Sequence, residues 1–169
     1  MSEVVRACIG IGANLGDPVA AVRSALDALD AIPGCRLVAA SRLYRTPAWG
    51  RLDQPDFVNA AAVLETALAP RALLEALLAV ERRAGRERGG EQAARRWGPR
   101  VLDLDLLLYG EQVVDEPGLR VPHPHLHERA FALVPLAEIA ADAPFPGHGC
   151  VGDALRGVDV AGVEAIADA

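Results

Sequence analysis

Phe57-Val58-Asn59-Ala60-Ala61-Ala62-Val63-Leu64-Glu65-Thr66 is followed almost at once by Pro70-Arg71-Ala72-Leu73-Leu74-Glu75-Ala76-Leu77-Leu78-Ala79-Val80-Glu81, and the change of period between the two runs decides the fold. The first run has the two-residue alternation of a strand, with Phe57, Asn59, Ala61 and Val63 on one face. The second spaces Leu73, Leu74, Leu77, Leu78 and Glu81 as a helix does, and predicts a helix over 70–84 closed by Gly85.

Toward the N-terminus, residues 4–11 form a β-branched apolar run that ends in a glycine-rich turn. Asp17 then predicts a helix cap, with Pro18 at the first helical position and Val22, Leu26 and Leu29 as the apolar stripe. Pro33 and Gly34 stop that helix, residues 35–46 predict a second strand, and residues 47–55 a long loop of the kind that often carries function. Toward the C-terminus, residues 101–109 predict a fourth strand, and Gly110-Glu111 a turn into a short fifth strand through Val114. A helix follows over 129–139, broken at Pro135. Strand, helix, strand, strand, helix, strand is the order of an α+β, ferredoxin-like split βαβ core, an antiparallel sheet with two helices packed on one face. The 169 residues suit a single domain, 1–169.

The composition excludes several classes. A formal net charge of −6 argues against a nucleic-acid partner, whose phosphates demand a basic surface. The apolar runs are broken by charge well short of the roughly 20 residues that span a bilayer, and Glu3 and Arg6 interrupt the one early candidate for a leader. Cys8, Cys35 and Cys150 are too scattered for a disulfide framework or a zinc knuckle, and read as small core residues in a reducing cytoplasm. All 17 basic residues are arginine, so a Walker lysine and Schiff-base chemistry are both excluded. Arg82, Arg83, Arg86, Arg88, Arg95, Arg96 and Arg100 crowd into one glycine-punctuated stretch, which suits phosphate and a segment able to close over a ligand.

Arg100-Val101-Leu102-Asp103-Leu104-Asp105-Leu106 carries the chemistry. A period of two puts Asp103 and Asp105 on one strand face, Cα atoms about 6.5 Å apart, in a row otherwise held by Val101 and Leu107. Carboxylates in an apolar row call for a cation, and the alternative is a solvated or arginine-paired strand. Gly10-Ile11-Gly12-Ala13-Asn14-Leu15-Gly16 misses the dinucleotide-binding spacing by one residue and reads as a tight strand-to-helix turn. His123, His125 and His127 alternate as zinc ligands on a strand would, but Pro122 and Pro124 argue against a strand there.

These residues resemble a known family. Arg96-Trp97-Gly98-Pro99-Arg100-Val101-Leu102-Asp103-Leu104-Asp105 is similar to the signature of the 6-hydroxymethyl-7,8-dihydropterin pyrophosphokinases. Gly10 to Gly16, Tyr44-Arg45-Thr46-Pro47, Asp53-Gln54-Pro55-Asp56-Phe57-Val58-Asn59-Ala60 and Val121-Pro122-His123 with Arg129 and Phe131 resemble it too, in the family's order, over about residues 4–146. The resemblance implies transfer of the β,γ-diphosphate of ATP to the hydroxymethyl group of the pterin, with two magnesium ions held by Asp103 and Asp105, in folate biosynthesis. It implies catalytic roles for Arg86, Arg100 and Asp105, and ATP contacts from Glu81, Arg88, Trp97, His123 and Arg129. It implies a pterin site formed by Phe57, Phe131, Asn59 and the backbone of Thr46, Pro47 and Ala48. A cytoplasmic monomer or weak homodimer with small-molecule substrates is expected. The rival readings are a two-metal phosphodiesterase or nuclease, and a non-enzymatic ferredoxin-like module that senses a ligand.

Overall fold

The computed structural model describes residues 4–14, 16–47, 56–88 and 102–166, with residues 86–88 as backbone only. Strand β1 (Val5–Ala13) leads through Gly16, at φ +70, into helix α1 (Pro18–Asp30). Asp17 Oδ1 accepts the Ala20 N–H at 3.1 Å, as its position before Pro18 predicts. Strands β2 (Cys35–Ala40), β3 (Tyr44–Thr46) and β4 (Phe57–Thr66) follow, then helix α2 (Pro70–Arg88) and strand β5 (Asp103–Tyr109). A ribbon of β6 (Val114–Glu116) and β7 (Leu119–Val121), a 3-10 turn (Leu126–Glu128), helices α3 (Ala130–Ala140) and α4 (Val151–Arg156), and strand β8 (Glu164–Ala165) complete the described chain.

The main sheet runs β5-β1-β4-β3-β8, with β2 also paired to β4, and every pairing is antiparallel. Its two faces hold different cores. Ile9, Ile11, Ala60, Ala62, Leu64, Leu104 and Leu106 pack against Val22, Ala25 and Leu29 of α1 and Leu73, Leu77 and Val80 of α2. On the opposite face Cys8, Ala61, Val63, Leu107 and Leu108 pack against Leu126, Leu133, Leu136, Phe145 and Val151. The expectation of helices on one face is therefore exceeded, because α3 and α4 cover part of the other. Burial pushes the Cys8 thiol up to about 12, so this cysteine is an inert core residue.

Four boundaries depart from expectation, each for a local reason. Residues 35–46 form two strands because Ser41 interrupts the ladder. Its Oγ accepts the Ala61 N–H at 2.9 Å while its own N–H donates to the Ala61 carbonyl at 2.9 Å. Gly85 does not close α2, since it keeps helical torsions and the helix continues to Arg88. The strand at Val114 does not extend the main sheet. It pairs with β7 through a Pro117-Gly118 turn in which Gly118 takes φ +74. Pro135 sits inside an unbroken α3, forfeiting one helical hydrogen bond to the Phe131 carbonyl while its ring is buried.

Candidate active site

Cross-strand register assembles the site on the half of the second face that α3 and α4 leave open. Gly12 stands opposite Asn59 on one side and Asp103 on the other, and Gly10 opposite Ala61 and Asp105. Partners across a ladder share a face, so the two carboxylates, the two glycines and Asn59 form one surface. A cleft of about 410 Å³ opens above it, lined among others by Thr46, Pro47, Phe57, Asn59, Asp103, Asp105, Arg129 and Phe131. Gly10 and Gly12 make its floor. A Cβ on Gly12 would lie 3.0 Å from Asn59 Oδ1, and one on Gly10 3.3 Å from Leu107 Cδ1.

A second cleft, about 650 Å³, lies along β5 and the β6–β7 ribbon, lined by Leu74, Asp115, Glu116, Gly118, Arg120 and His123 among others. Asp105 lines both clefts. The rim of the second carries ion pairs, Arg120 to Asp115 at 3.4 Å and Arg71 to Glu116 at 3.0 Å.

Beneath the aspartates, Glu81 reaches from α2 and accepts the Leu104 N–H at 2.6 Å. Leu104 separates the two carboxylates, so this bond fixes the segment that carries both. Opposite, Glu138 ties α3 to the edge of the sheet. It accepts from Tyr44 Oη at 2.5 Å and from Arg42 N and Nε at 3.0 and 3.1 Å. Burial pushes the Glu138 carboxyl up, but these bonds outweigh it and hold the group below its usual range.

His123 is held as a neutral ring. Its backbone N–H donates to the Leu107 carbonyl at 3.0 Å, and its ring Nδ1 accepts the backbone N–H of His125 at 3.1 Å, which leaves Nε2 to carry the proton. Burial, helped by the nearby charges of Arg129 and His125 and opposed by Asp103, pulls its pKa down from 6.5 to about 4. Because the folded value lies below the unfolded one, its contribution to stability is complete above 6.5 and is lost as pH falls through that value toward about 4. The His123 ring resonance, identified by its disappearance in His123→Asn, is therefore expected to stay in place from pH 7 to pH 5 in an NMR titration. A midpoint near 6.5 would contradict this environment.

The structure brings Asp103, Asp105, Thr46, Pro47, Phe57, Asn59, Phe131 and Arg129 to one cleft, and His123 to its neighbour. Arg129 lies with Phe131, its Cζ 5.7 Å from that ring centre, and near enough to His123 for its charge to act on that ring. Glu81 meets the β5 backbone. Ala48, Trp97 and Arg100 lie outside the described residues, as do Arg95, Arg96 and the side chains of Arg86 and Arg88, while Arg82 and Arg83 are exposed on α2. The three histidines diverge, since His127 stacks on His148 at 4.7 Å while His123 and His125 lie 6.1 Å apart. Gly10 and Gly12 correct the sequence reading, because they lie within β1 and floor the cleft, while Gly16 makes the turn. The signal was present in their spacing of two inside a strand-forming run.

Comparison with known proteins places this geometry. The model of the family described as 7,8-dihydro-6-hydroxymethylpterin-pyrophosphokinase (HPPK) matches residues 8–141. A Methylorubrum extorquens protein named 2-amino-4-hydroxy-6-hydroxymethyldihydropteridine pyrophosphokinase is 48% identical over 164 residues, covering 96% of this chain and 99% of that one. A Pseudomonas aeruginosa protein of the same name is 45% identical over 161 residues, covering 95% and 96%. The fold matches a crystal structure of a Plasmodium falciparum HPPK-DHPS triple mutant with SDX-DHP at a TM-score of 0.73 and 13% identity, over 92% of this chain and 44% of that one. The chain thus spans nearly the whole of these two curated relatives and less than half of the Plasmodium chain, and it belongs to the HPPK family.

Proposed function

We propose that this chain transfers the β,γ-diphosphate of ATP to the hydroxymethyl group of 6-hydroxymethyl-7,8-dihydropterin, releasing AMP, with Asp103 and Asp105 holding two magnesium ions. Family membership makes it a pyrophosphokinase of folate biosynthesis. The observation that carries the finer assignment is the position of Asp105 on the wall common to two clefts. One cleft, with Phe57, Phe131 and the Asn59 amide, suits a flat heterocycle. The other, with His123 and Arg120, suits a nucleotide. Donor and acceptor then meet at the aspartates.

The donor set fits magnesium. Two carboxylate side chains supply hard oxygen ligands, and this ion commonly takes one or two carboxylates and completes its shell with phosphate oxygens and water. Magnesium bound there would neutralise charge on the diphosphate and polarise its phosphorus. The chain's own residues orient the reactants. Phe57 and Phe131 hold the pterin plane, Asn59 sets its edge, and neutral His123 offers an Nε2–H to phosphate oxygen. The pterin hydroxyl oxygen forms the new bond to the β-phosphorus, the bond from that phosphorus to the AMP oxygen breaks in line, and Asp105 is the carboxylate placed to accept the hydroxyl proton.

Strand order and pairing support a ferredoxin-like split βαβ core, in which β4 enters between β1 and the β2–β3 edge. Among the described residues no helix is long and apolar enough to cross a membrane, and the three cysteines are free thiols, as a reducing compartment would keep them. AMP formation from magnesium ATP, measured with and without 6-hydroxymethyl-7,8-dihydropterin, tests the assignment. AMP is expected only with the pterin, and equal release without it would point to a phosphodiesterase.

A further inference from the structure

We propose that Thr46 is a positioning residue that sets which way the Asn59 amide faces, and so fixes the order of donor and acceptor that this wall presents to the ring. The inference rests on the pterin reading of the cleft and adds to it a determinant of specificity. Thr46 and Asn59 are 4% and 6% exposed. They are diagonal neighbours across β3 and β4, since Thr46 stands opposite Phe57 and Tyr44 opposite Asn59. Asn59 Nδ2 donates to Thr46 Oγ1 at 2.8 Å.

A carboxamide has nearly the same shape in its two orientations, so only its hydrogen bonds choose between them. Here two neighbours choose together. Thr46 offers an acceptor to Nδ2, and on the other side Oδ1 faces the bare Cα of Gly12, 3.0 Å from where a Cβ would be. Turned over, the amide would aim its N–H2 at a carbon that accepts nothing, leaving a buried donor unpaired. In the orientation held, one N–H and the carbonyl oxygen remain for a ligand, in a fixed order. Such an edge complements a cyclic amide, whose ring N–H and carbonyl lie side by side. It opposes a ring in which an amino group replaces the carbonyl and the adjacent nitrogen accepts.

The test compares two rings by equilibrium fluorescence binding: 6-hydroxymethyl-7,8-dihydropterin and 2,4-diamino-6-hydroxymethylpteridine. Thr46→Val keeps the side-chain volume and removes the acceptor. It is expected to weaken pterin binding about tenfold while the diamino ring is unchanged or tighter, so that discrimination falls by at least that factor. Thr46→Ser is expected to restore discrimination. In an Asn59→Ala background, Thr46→Val should change pterin affinity no further, because the hydroxyl acts only through the amide. Binding of a non-hydrolysable ATP analogue should stay within about twofold throughout. Equal weakening of both rings, failure of serine to rescue, or an additive double variant would each overturn the proposal. A wild-type protein that binds neither ring would instead overturn the pterin reading on which it rests.

Discussion

Asp105→Asn is expected to lower the rate of AMP formation on the order of a thousandfold at saturating ATP, magnesium and pterin, with no loss of thermal stability. The substitution keeps the size of the side chain and, on the proposed assignment, removes one hard anionic ligand from a site that gathers a triphosphate and its cations. Asp103 and Asp105 are both half-buried on β5, where carboxylates interrupt an apolar row that continues to Leu107. On the proposed assignment they serve the ligand more than the fold, so calorimetry should find the melting temperature unchanged or raised. Asp103→Asn is expected to follow with a smaller loss, since Asp103 lines one cleft and Asp105 both. Rates within about tenfold of wild type in either variant would sink the assignment of these two residues to the metal site.

Asn59→Ala is expected to weaken pterin binding by about two orders of magnitude and to leave ATP binding within about twofold. A site built around hydrogen bonds to a heterocycle loses more than the bonds themselves, because the edge of the ring is left desolvated against carbon. The cost to folding is smaller. Thr46 loses its partner, about 1 kcal/mol, which in a chain of this size moves Tm by about 2–4 °C. Isothermal titration with each ligand separates the two effects. Equal losses for pterin and nucleotide would assign Asn59 to the scaffold.

Legibility in the sequence followed the locality of the cause. Phe57–Thr66 is a strand over the predicted residues because its alternation matches the two cores it separates. Asp17 caps α1 because an N-cap bond spans three residues. The pairing of Asp103 with Asp105 needed only the strand period. Features that depend on a distant partner were less visible. Nothing local to Ser41 announces that its hydroxyl will replace a carbonyl of the ladder with β4. The bulge where β5 meets Cys8 and Ile9 puts Leu107 and Leu108 against the same core and returns Tyr109 to the other, which a strict period of two forbids. Pro135 survives within α3 because burial against the sheet compensates one lost bond. The glycines were visible and misread, since a motif-like spacing drew attention from their place inside a strand.

The glycine floor has a consequence for engineering. Gly10 and Gly12 have no positive φ, so nothing in their torsions demands glycine. As alanine their backbone would lose less entropy on folding, but each Cβ would crowd a buried side chain, Leu107 at 3.3 Å and the Asn59 oxygen at 3.0 Å. A library screened on melting temperature alone would be blind to this floor, where any new methyl group takes up space beneath the cleft proposed for the ring, and it should hold both positions constant.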